Sequence, residues 1–151
     1  MLLLSLTCAL VIQPVLAGIG LKTTEKLNKT QLTCVSTKHH VTFVMARIWT
    51  NHGKFDQLGI DNIEVALNAG LQAFSYFDVC LPPTCRQSVA DQVTAAFTAA
   101  RANQITLGGI FFPVIGSQWL QAGRNASDNV QTIRELIAAS KNVGSLPVIW
   151  R

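Results

Sequence analysis

The sequence contains little charge and no concentration of it. Lys and Arg number 12 and Asp and Glu number 8 among 151 residues, so charged side chains make up 13% and the net charge is +4. These charges are dispersed, without a basic cluster or interleaved aromatic residues, so nucleic acid is not an expected partner. The small positive excess suits an anionic surface, and it serves solubility equally well.

Motifs for metal, nucleotide and nucleophile chemistry are also missing. No His stands at ligand spacing from the cysteines and no Ser has the flanking glycines of a nucleophile elbow, so neither a metal nor a cofactor is expected. Gly108-Gly109 is followed by neither Lys-Ser/Thr nor a helix, and we interpret it as a strand kink. His39 and His40 are interpreted as a solvated turn. His52, at a predicted strand end, is the better candidate base.

The first 21 residues carry no charged side chain. An apolar run over residues 2–16, followed by a small residue before Gly18, predicts a signal peptide over residues 1–17 and a secreted, extracellular protein. A signal anchor is the alternative, since about 20 apolar residues can span a bilayer. No later stretch is long and apolar enough to span, so no membrane contact is expected after cleavage. Residues 18–151 suffice for one domain.

Cysteines and glycosylation triplets fit such a secretory route. Cys80 and Cys85 flank two prolines that bend the segment between them, which predicts a short local disulfide. Cys34 is then left as a buried thiol, an intermolecular bridge that would give a dimer, or a residue whose partner is missing. Asn28 and Asn125 begin Asn-x-Ser/Thr triplets and are candidate glycosylation sites.

Hydrophobic periodicity alternates between strand and helix along the chain. Strands are predicted over residues 18–22, Val41–Trp49, 71–79, 105–115 and Leu146–Trp150, and helices over residues 24–34, about ten residues from 59, 86–101 and 126–141. Alternation of this kind predicts an α/β fold with parallel strands and helical crossovers, in an open sheet or a barrel. A full eight-unit barrel needs about 250 residues, and about five units fit here.

Functional groups on parallel α/β scaffolds gather where the strands end. Among the predicted strand ends, one carboxylate is present, Asp78.

The order of several segments resembles the lysozymes of glycoside hydrolase family 25, in the form found in nematodes and amoebae. These segments are Cys34 before the strand Phe43-Val-Met-Ala-Arg47-Ile-Trp49, Asn68-Ala-Gly70 before a strand with Tyr76, the loop with Cys80 and Cys85, and Gly116-Ser-Gln-Trp119. The resemblance runs from about residue 18 to residue 150. It implies a TIM-like (β/α) barrel truncated to about five of eight units, and a role in gut or innate defence with bacterial peptidoglycan or a related glycan as partner.

The resemblance also implies three catalytic acids, and this chain has none of them. Gly20, Pro113 and Ile115 occupy the three positions. Glycoside hydrolysis needs one carboxylic acid to protonate the leaving oxygen and a second carboxylate, and loss of a general acid alone commonly costs about 10²–10⁴-fold in rate. We therefore expect a catalytically inactive protein that at most binds cell-wall glycan. Asp78 is the remaining catalytic candidate.

Four side chains are candidates for sugar contact, because flat aromatic rings stack on pyranose faces and Arg holds acidic or acetyl groups. They are Arg47, Trp49, Tyr76 and Trp119. Packing in the core or at its rim is the alternative for each of them.

Two other functions stay open: an active muramidase that uses Asp78 or another acid, and an interaction protein that pairs through an open barrel edge or Cys34.

Overall fold

The computed structural model describes residues 18–107, 109–114, 119–120 and 124–150. Strands and helices alternate within these residues, as predicted. The strands are β1 (Ile19–Thr23), β2 (Val41–Trp49), β3 (Gln72–Phe77), β4 (Gly109–Pro113) and β5 (Leu146–Trp150), and the helices are α1 (Lys29–His39), α2 (Gln57–Asn68), α3 (Val89–Ala102) and α4 (Ala126–Asn142). The predicted signal peptide lies outside the described residues. No helix among those described has the length and apolar character needed to cross a membrane.

All five strands are parallel and lie in the order β1-β2-β3-β4-β5. Since parallel crossovers are right-handed, a sheet whose strands follow chain order carries its connecting helices on one face. The main core lies on that face, where Ile48 of β2 and Phe112 of β4 belong to one cluster with Val93 of α3 and Leu136 of α4. The helices that the structure describes therefore leave the other face of the sheet uncovered.

This uncovered face is concave. The Nζ atom of Lys22 on β1 lies 5.1 Å from the ring centroid of Trp150 on β5. In a flat sheet these strands would be about 19 Å apart, which is four strand spacings and further than a lysine side chain reaches. The sheet must therefore curl strongly enough to bring its two edge strands towards each other across this face.

The sheet is not closed within the described residues, because β1 and β5 remain its edges. The described part of the chain therefore does not show a TIM-like barrel, and the prediction of a barrel truncated to about five of eight units goes further than the structure. The alternative of an open sheet describes what is observed. Strand β5 is also more exposed than a central strand, with Leu146 at 73% and Trp150 at 43%.

Two element boundaries differ from their predictions for identifiable reasons. Helix α1 begins five residues after the predicted start, because Asn28 and Gln31 form a capping box that sets the first turn. Leu27, which the helical spacing included, instead donates its backbone N–H to Asn62 Oδ1 at 2.9 Å. Strand β4 is shorter than predicted, since Ile105 and Leu107 pack against the core from a loop.

Candidate functional site

Parallel strands end at one edge of the sheet, and a group of charged side chains lies there. Lys22, Arg47 and Asp78 come from the carboxyl ends of β1, β2 and β3, and Asp56 precedes α2. The Asp78 backbone N–H donates to the Trp49 carbonyl at 3.1 Å, which fixes the start of the loop after β3. This carboxyl edge is where the α/β architecture predicts function.

Arg47 is the centre of the group. Its Nε atom lies 2.8 Å from Asp56 Oδ2, and its Nη1 atom lies 3.8 Å from Asp78 Oδ2. The Asp56 and Asp78 side chains are only 14% and 19% exposed, so the two carboxylates and the guanidinium are partly shielded from water. Arg47 thus holds one carboxylate in a short hydrogen bond and the other at longer range.

Asp56 was not singled out in the sequence, and its role is visible only in three dimensions. It is the N-cap residue of α2, yet its side chain makes no capping hydrogen bond. A capping Asp typically contributes about 1 kcal/mol to its helix. Here the carboxylate turns to Arg47 instead, while the Asp56 backbone N–H bonds to the Ile48 carbonyl at 3.0 Å. Asp56 therefore positions Arg47.

Burial and neighbouring charges shift the ionisation of this group. Burial raises the pKa of Asp78, although Lys22 and Arg47 act in the opposite direction. Burial, together with the Asp78 charge, raises the pKa of Tyr76 to about 12, so its hydroxyl stays neutral at physiological pH. Burial disfavours the charged form of Arg47, but its hydrogen bond to Asp56 and the nearby negative charges outweigh burial and raise its pKa.

The raised pKa of Asp78 leads to a testable pH dependence. The folded chain binds the Asp78 proton more tightly than the unfolded chain does. Its free energy of unfolding should therefore rise as pH falls through the raised pKa, and the rise should be complete below the pKa of an unfolded aspartate. The carboxyl ¹³C signal of Asp78 should titrate above an aspartate in an unstructured peptide, and Asp78→Asn should remove that part of the pH dependence. Titration at or below the peptide value would contradict the burial of this carboxyl.

Lys22 is a second residue that sequence reasoning passed over. Its ammonium lies 4.3 Å from the Tyr76 ring centroid and 5.1 Å from that of Trp150, within the usual range of cation–π contacts. Gly20 and Lys22 stand two residues apart on a strand and so share a face. This spacing was the available signal, because the resemblance places Gly20 at one of the family's acid positions, and Lys22 follows it on the same face.

The structure describes two of the three positions that the resemblance assigns to the family's acids, Gly20 and Pro113. A Cβ atom added to Gly20 would overlap the Phe43 ring, so the space that an acidic side chain needs there is filled. Pro113 is buried on β4 and pairs with Trp150 on β5. Ile115 lies outside the described residues.

Three of the four predicted sugar-contacting residues are buried, namely Trp49, Tyr76 and Trp119, and the two tryptophans belong to the main core cluster. Trp49 and Trp119 are 4% and 3% exposed, so the packing alternative accounts for them better than sugar contact. Simple alternation would place Trp49 on the same face as Arg47. A register shift between these residues instead pairs Trp49 with Phe77, and the two rings stack at 5.6 Å. Tyr76, 2% exposed, lies beneath Lys22.

The predicted disulfide between Cys80 and Cys85 is present, with Cα atoms 5.6 Å apart, and Pro82-Pro83 within its loop is a cis peptide. Gln92 of α3 holds this loop in place. Its Oε1 atom accepts hydrogen bonds from Trp49 Nε1 and the Cys80 N–H, and its Nε2 atom donates to the Cys80 and Gln87 carbonyls. The loop, β2 and α3 thus meet at one buried amide.

Remaining candidates lie on the surface. His39 ends α1, His40 is its left-handed C-cap, and both are exposed, as is His52 in the turn after β2. Cys34 is exposed on α1 and forms no disulfide within the described residues, so the buried-thiol alternative is excluded and a dimer through it stays a prediction.

The two glycosylation triplets both begin at helix N-caps. Asn28 and Asn125 accept backbone N–H bonds through Oδ1, and a glycan would attach at Nδ2. Glycosylation stays a prediction.

Comparisons with known proteins agree with this architecture. The profile of the family described as Lysozyme-like protein 1 matches residues 14–150. Lysozyme-like protein 5 of Caenorhabditis elegans is 27% identical over 101 residues, which span 66% of this chain and 46% of that relative. The catalytic domain of endolysin ply40, from bacteriophage P40 of Listeria monocytogenes, has a similar fold, with a TM-score of 0.57 and 15% identity over 86% of this chain and 61% of that chain. Because the family profile covers nearly the whole sequence, this chain belongs to the Lysozyme-like protein 1 family.

Proposed function

We propose that this chain is a secreted protein of the glycoside hydrolase family 25 type that binds bacterial peptidoglycan glycan without cleaving it, in innate defence. Family membership and the fold shared with an endolysin catalytic domain support a cell-wall glycan as the ligand. The curl of the sheet supports the barrel-type architecture, because the concave face corresponds to the interior that a barrel would enclose.

The observation that carries the proposal is the state of the carboxyl groups at the carboxyl edge. A glycosidase places two carboxyl groups about 5–9.5 Å apart on either side of the scissile bond, and one of them must carry a proton. Here the space at Gly20 is filled by Phe43, and Asp56 is held in a short hydrogen bond by Arg47. Of the two carboxyl groups described at this edge, Asp56 is committed to Arg47 and Asp78 lies outside such a short bond, so the edge offers a substrate one uncommitted carboxyl group where cleavage needs two.

Binding a glycan requires fewer functional groups than cleaving it. A concave face with aromatic rings and a few convergent polar groups is the usual form of a ligand site. Here Phe43, Phe74 and Phe111 form a row of edge-to-face contacts at 5.4 and 5.7 Å, and Lys22 and Arg47 lie at the carboxyl edge of the same face. This face can hold a sugar chain without any group that breaks it.

Co-sedimentation with insoluble peptidoglycan, with turbidity recorded in the same tubes, tests the proposal. The secreted chain should pellet with the peptidoglycan, and turbidity should stay at the level of buffer. Arg47→Gln should weaken pelleting several-fold, because it removes a cation from the proposed binding face and leaves the Asp56 and Asp78 carboxylates without their partner. Arg134→Gln removes an exposed charge on α4 and is the matched control. A chain that stays in the supernatant would refute binding, and clearance would refute inactivity.

The raised pKa of Asp78 favours a second candidate function, an active muramidase. A buried carboxyl group with a raised pKa at the carboxyl edge is the type of group that serves as a general acid. In that case wild-type chain would clear peptidoglycan, Asp78→Asn would abolish clearance, and Glu64→Gln, an exposed carboxylate on α2, would leave it unchanged.

The exposed edge strands favour pairing with another chain as a further alternative. Ile19 on β1 is 56% exposed, and β5 carries Leu146 and Ile149 at 73% and 39%. Unpaired edges of this kind can add a strand from a partner. A dimer in light scattering that persists in reducing buffer would support edge pairing, whereas one that is lost with Cys34→Ser would indicate a disulfide through α1.

A further inference from the structure

Lys22 contacts two aromatic rings on the concave face. Its ammonium contacts the Tyr76 ring from β3 and the Trp150 ring from β5, at 4.3 and 5.1 Å. Since these rings belong to different strands, the ammonium is restrained between two aromatic groups. The side chain is nevertheless exposed, so a ligand can reach its charge.

Lys22 forms no salt bridge with any other described residue. In the described part of the chain, both salt bridges at this edge belong to Arg47, which pairs with Asp56 and Asp78. Tyr76 supplies no negative charge, because its pKa is raised to about 12. Lys22 is therefore an accessible cation that contacts two neutral rings, and its charge also acts on the nearby Asp78 carboxyl, whose pKa it lowers.

Trp150 differs from the other two tryptophans in its exposure. It is 43% exposed, whereas Trp49 and Trp119 are 4% and 3% exposed. A partly exposed indole is a flat surface on which the apolar face of a pyranose ring can stack. An ammonium next to such a surface can form a charge-assisted hydrogen bond with an anionic substituent of the stacked sugar.

We propose that Lys22 and Trp150 form a subsite for a sugar that carries a carboxylate, with Trp150 stacked on the ring and Lys22 paired with the carboxylate. This rests on the proposed binding of peptidoglycan glycan and names the part of the ligand that is recognised. In such a glycan the carboxylate has two sources, the lactyl ether group of muramic acid and the peptide attached to that group.

Tryptophan fluorescence can test this subsite, because saccharide contact should change the emission of the exposed Trp150 more than that of the two buried indoles. N-acetylmuramic acid should bind about tenfold more tightly than the neutral N-acetylglucosamine, as expected for one charge-assisted hydrogen bond. Lys22→Met should remove this difference, while Lys141→Met, on the exposed end of α4, should keep it. Trp150→Phe should weaken binding of both sugars and remove most of the emission change.

Muramyl dipeptide distinguishes the two carboxylate sources, because its lactyl carboxyl group is consumed in an amide bond. Binding as weak as that of N-acetylglucosamine would assign the lactyl carboxylate. Binding as tight as that of N-acetylmuramic acid would assign the peptide carboxylate.

The inference is overturned if wild-type chain binds neither N-acetylmuramic acid nor muramyl dipeptide more tightly than N-acetylglucosamine, or if a folded Lys22→Met variant, checked by circular dichroism, still discriminates. Co-sedimentation with peptidoglycan shows whether the Lys22–Trp150 subsite alone is wrong or whether the proposed function is wrong as well. Pelleting without sugar discrimination would reject the subsite alone, and loss of pelleting in wild-type chain would reject the proposed function.

Discussion

Replacing Gln92 with alanine is expected to lower the free energy of unfolding by about 3 kcal/mol or more, because several buried polar groups lose their partners and each costs about 1–3 kcal/mol. Gln92 is fully buried, and its amide makes four hydrogen bonds of 2.9–3.2 Å. These bonds join the Trp49 indole, the backbone of Cys80 and the Gln87 carbonyl. The loss should therefore appear as cooperative destabilisation and not as local fraying.

Denaturant unfolding in non-reducing buffer measures this effect, so that the Cys80–Cys85 disulfide stays intact. Gln131→Ala is the matched control, since that exposed side chain on α4 bonds to its neighbour Glu135 and to no other described residue. Its effect should stay within about 0.5 kcal/mol. If Gln92→Ala matched this control, the amide would not be the link between the loop, β2 and α3.

Replacing Gly59 with alanine should also destabilise the chain, by about 2 kcal/mol, through overpacking. Gly59 is buried in α2, and a Cβ atom there would overlap the backbone carbonyl of Arg47. Helix propensity alone predicts the opposite sign, since alanine is favoured over glycine in a helix interior by about 1 kcal/mol. The sign of the change therefore reports directly on the close approach of α2 to β2.

This substitution should also disturb the candidate site, because the displaced backbone carries Arg47 and the start of α2 carries its partner Asp56. Glu64→Ala, at an exposed position of the same helix, is the control and should be neutral or slightly stabilising. Thermal unfolding combined with peptidoglycan pelleting reads out both effects. A Gly59→Ala variant that is more stable than wild type would refute the close packing.

Much of the fold follows from local pattern. The β-branched and aromatic run at Val41–Trp49 and the final strand Leu146–Trp150 were predicted with their observed bounds. The start of α4 follows from a polar N-cap before an amphipathic segment. The same signal marks the start of α1, because Asn28 and Gln31 have the spacing of a capping box. The prediction began too early because Leu27 and Gln31 also stand at helical spacing, whereas the Leu27 N–H bonds to Asn62, which is 35 residues away.

The site was less predictable than the fold. Asp78 could be found because it follows a strand directly, whereas Asp56 is seven residues beyond the end of β2 and reaches the site only through its bond to Arg47. Trp49 was a reasonable sugar-contact candidate under strict alternation, but the register shift after Arg47 turns it into the core. Whether the sheet closes depends on curvature, and the strand pattern itself does not specify curvature.

A single incubation with purified peptidoglycan tests the central claim, that the scaffold binds glycan without hydrolysing it. The bound fraction is measured by pelleting, and new reducing ends are measured by mass spectrometry of the released muropeptides, beside an active muramidase as positive control. The account predicts a saturable bound fraction and no reducing ends above buffer. Reducing ends that appear with wild-type chain and disappear with Asp78→Asn would contradict it and assign catalysis to Asp78.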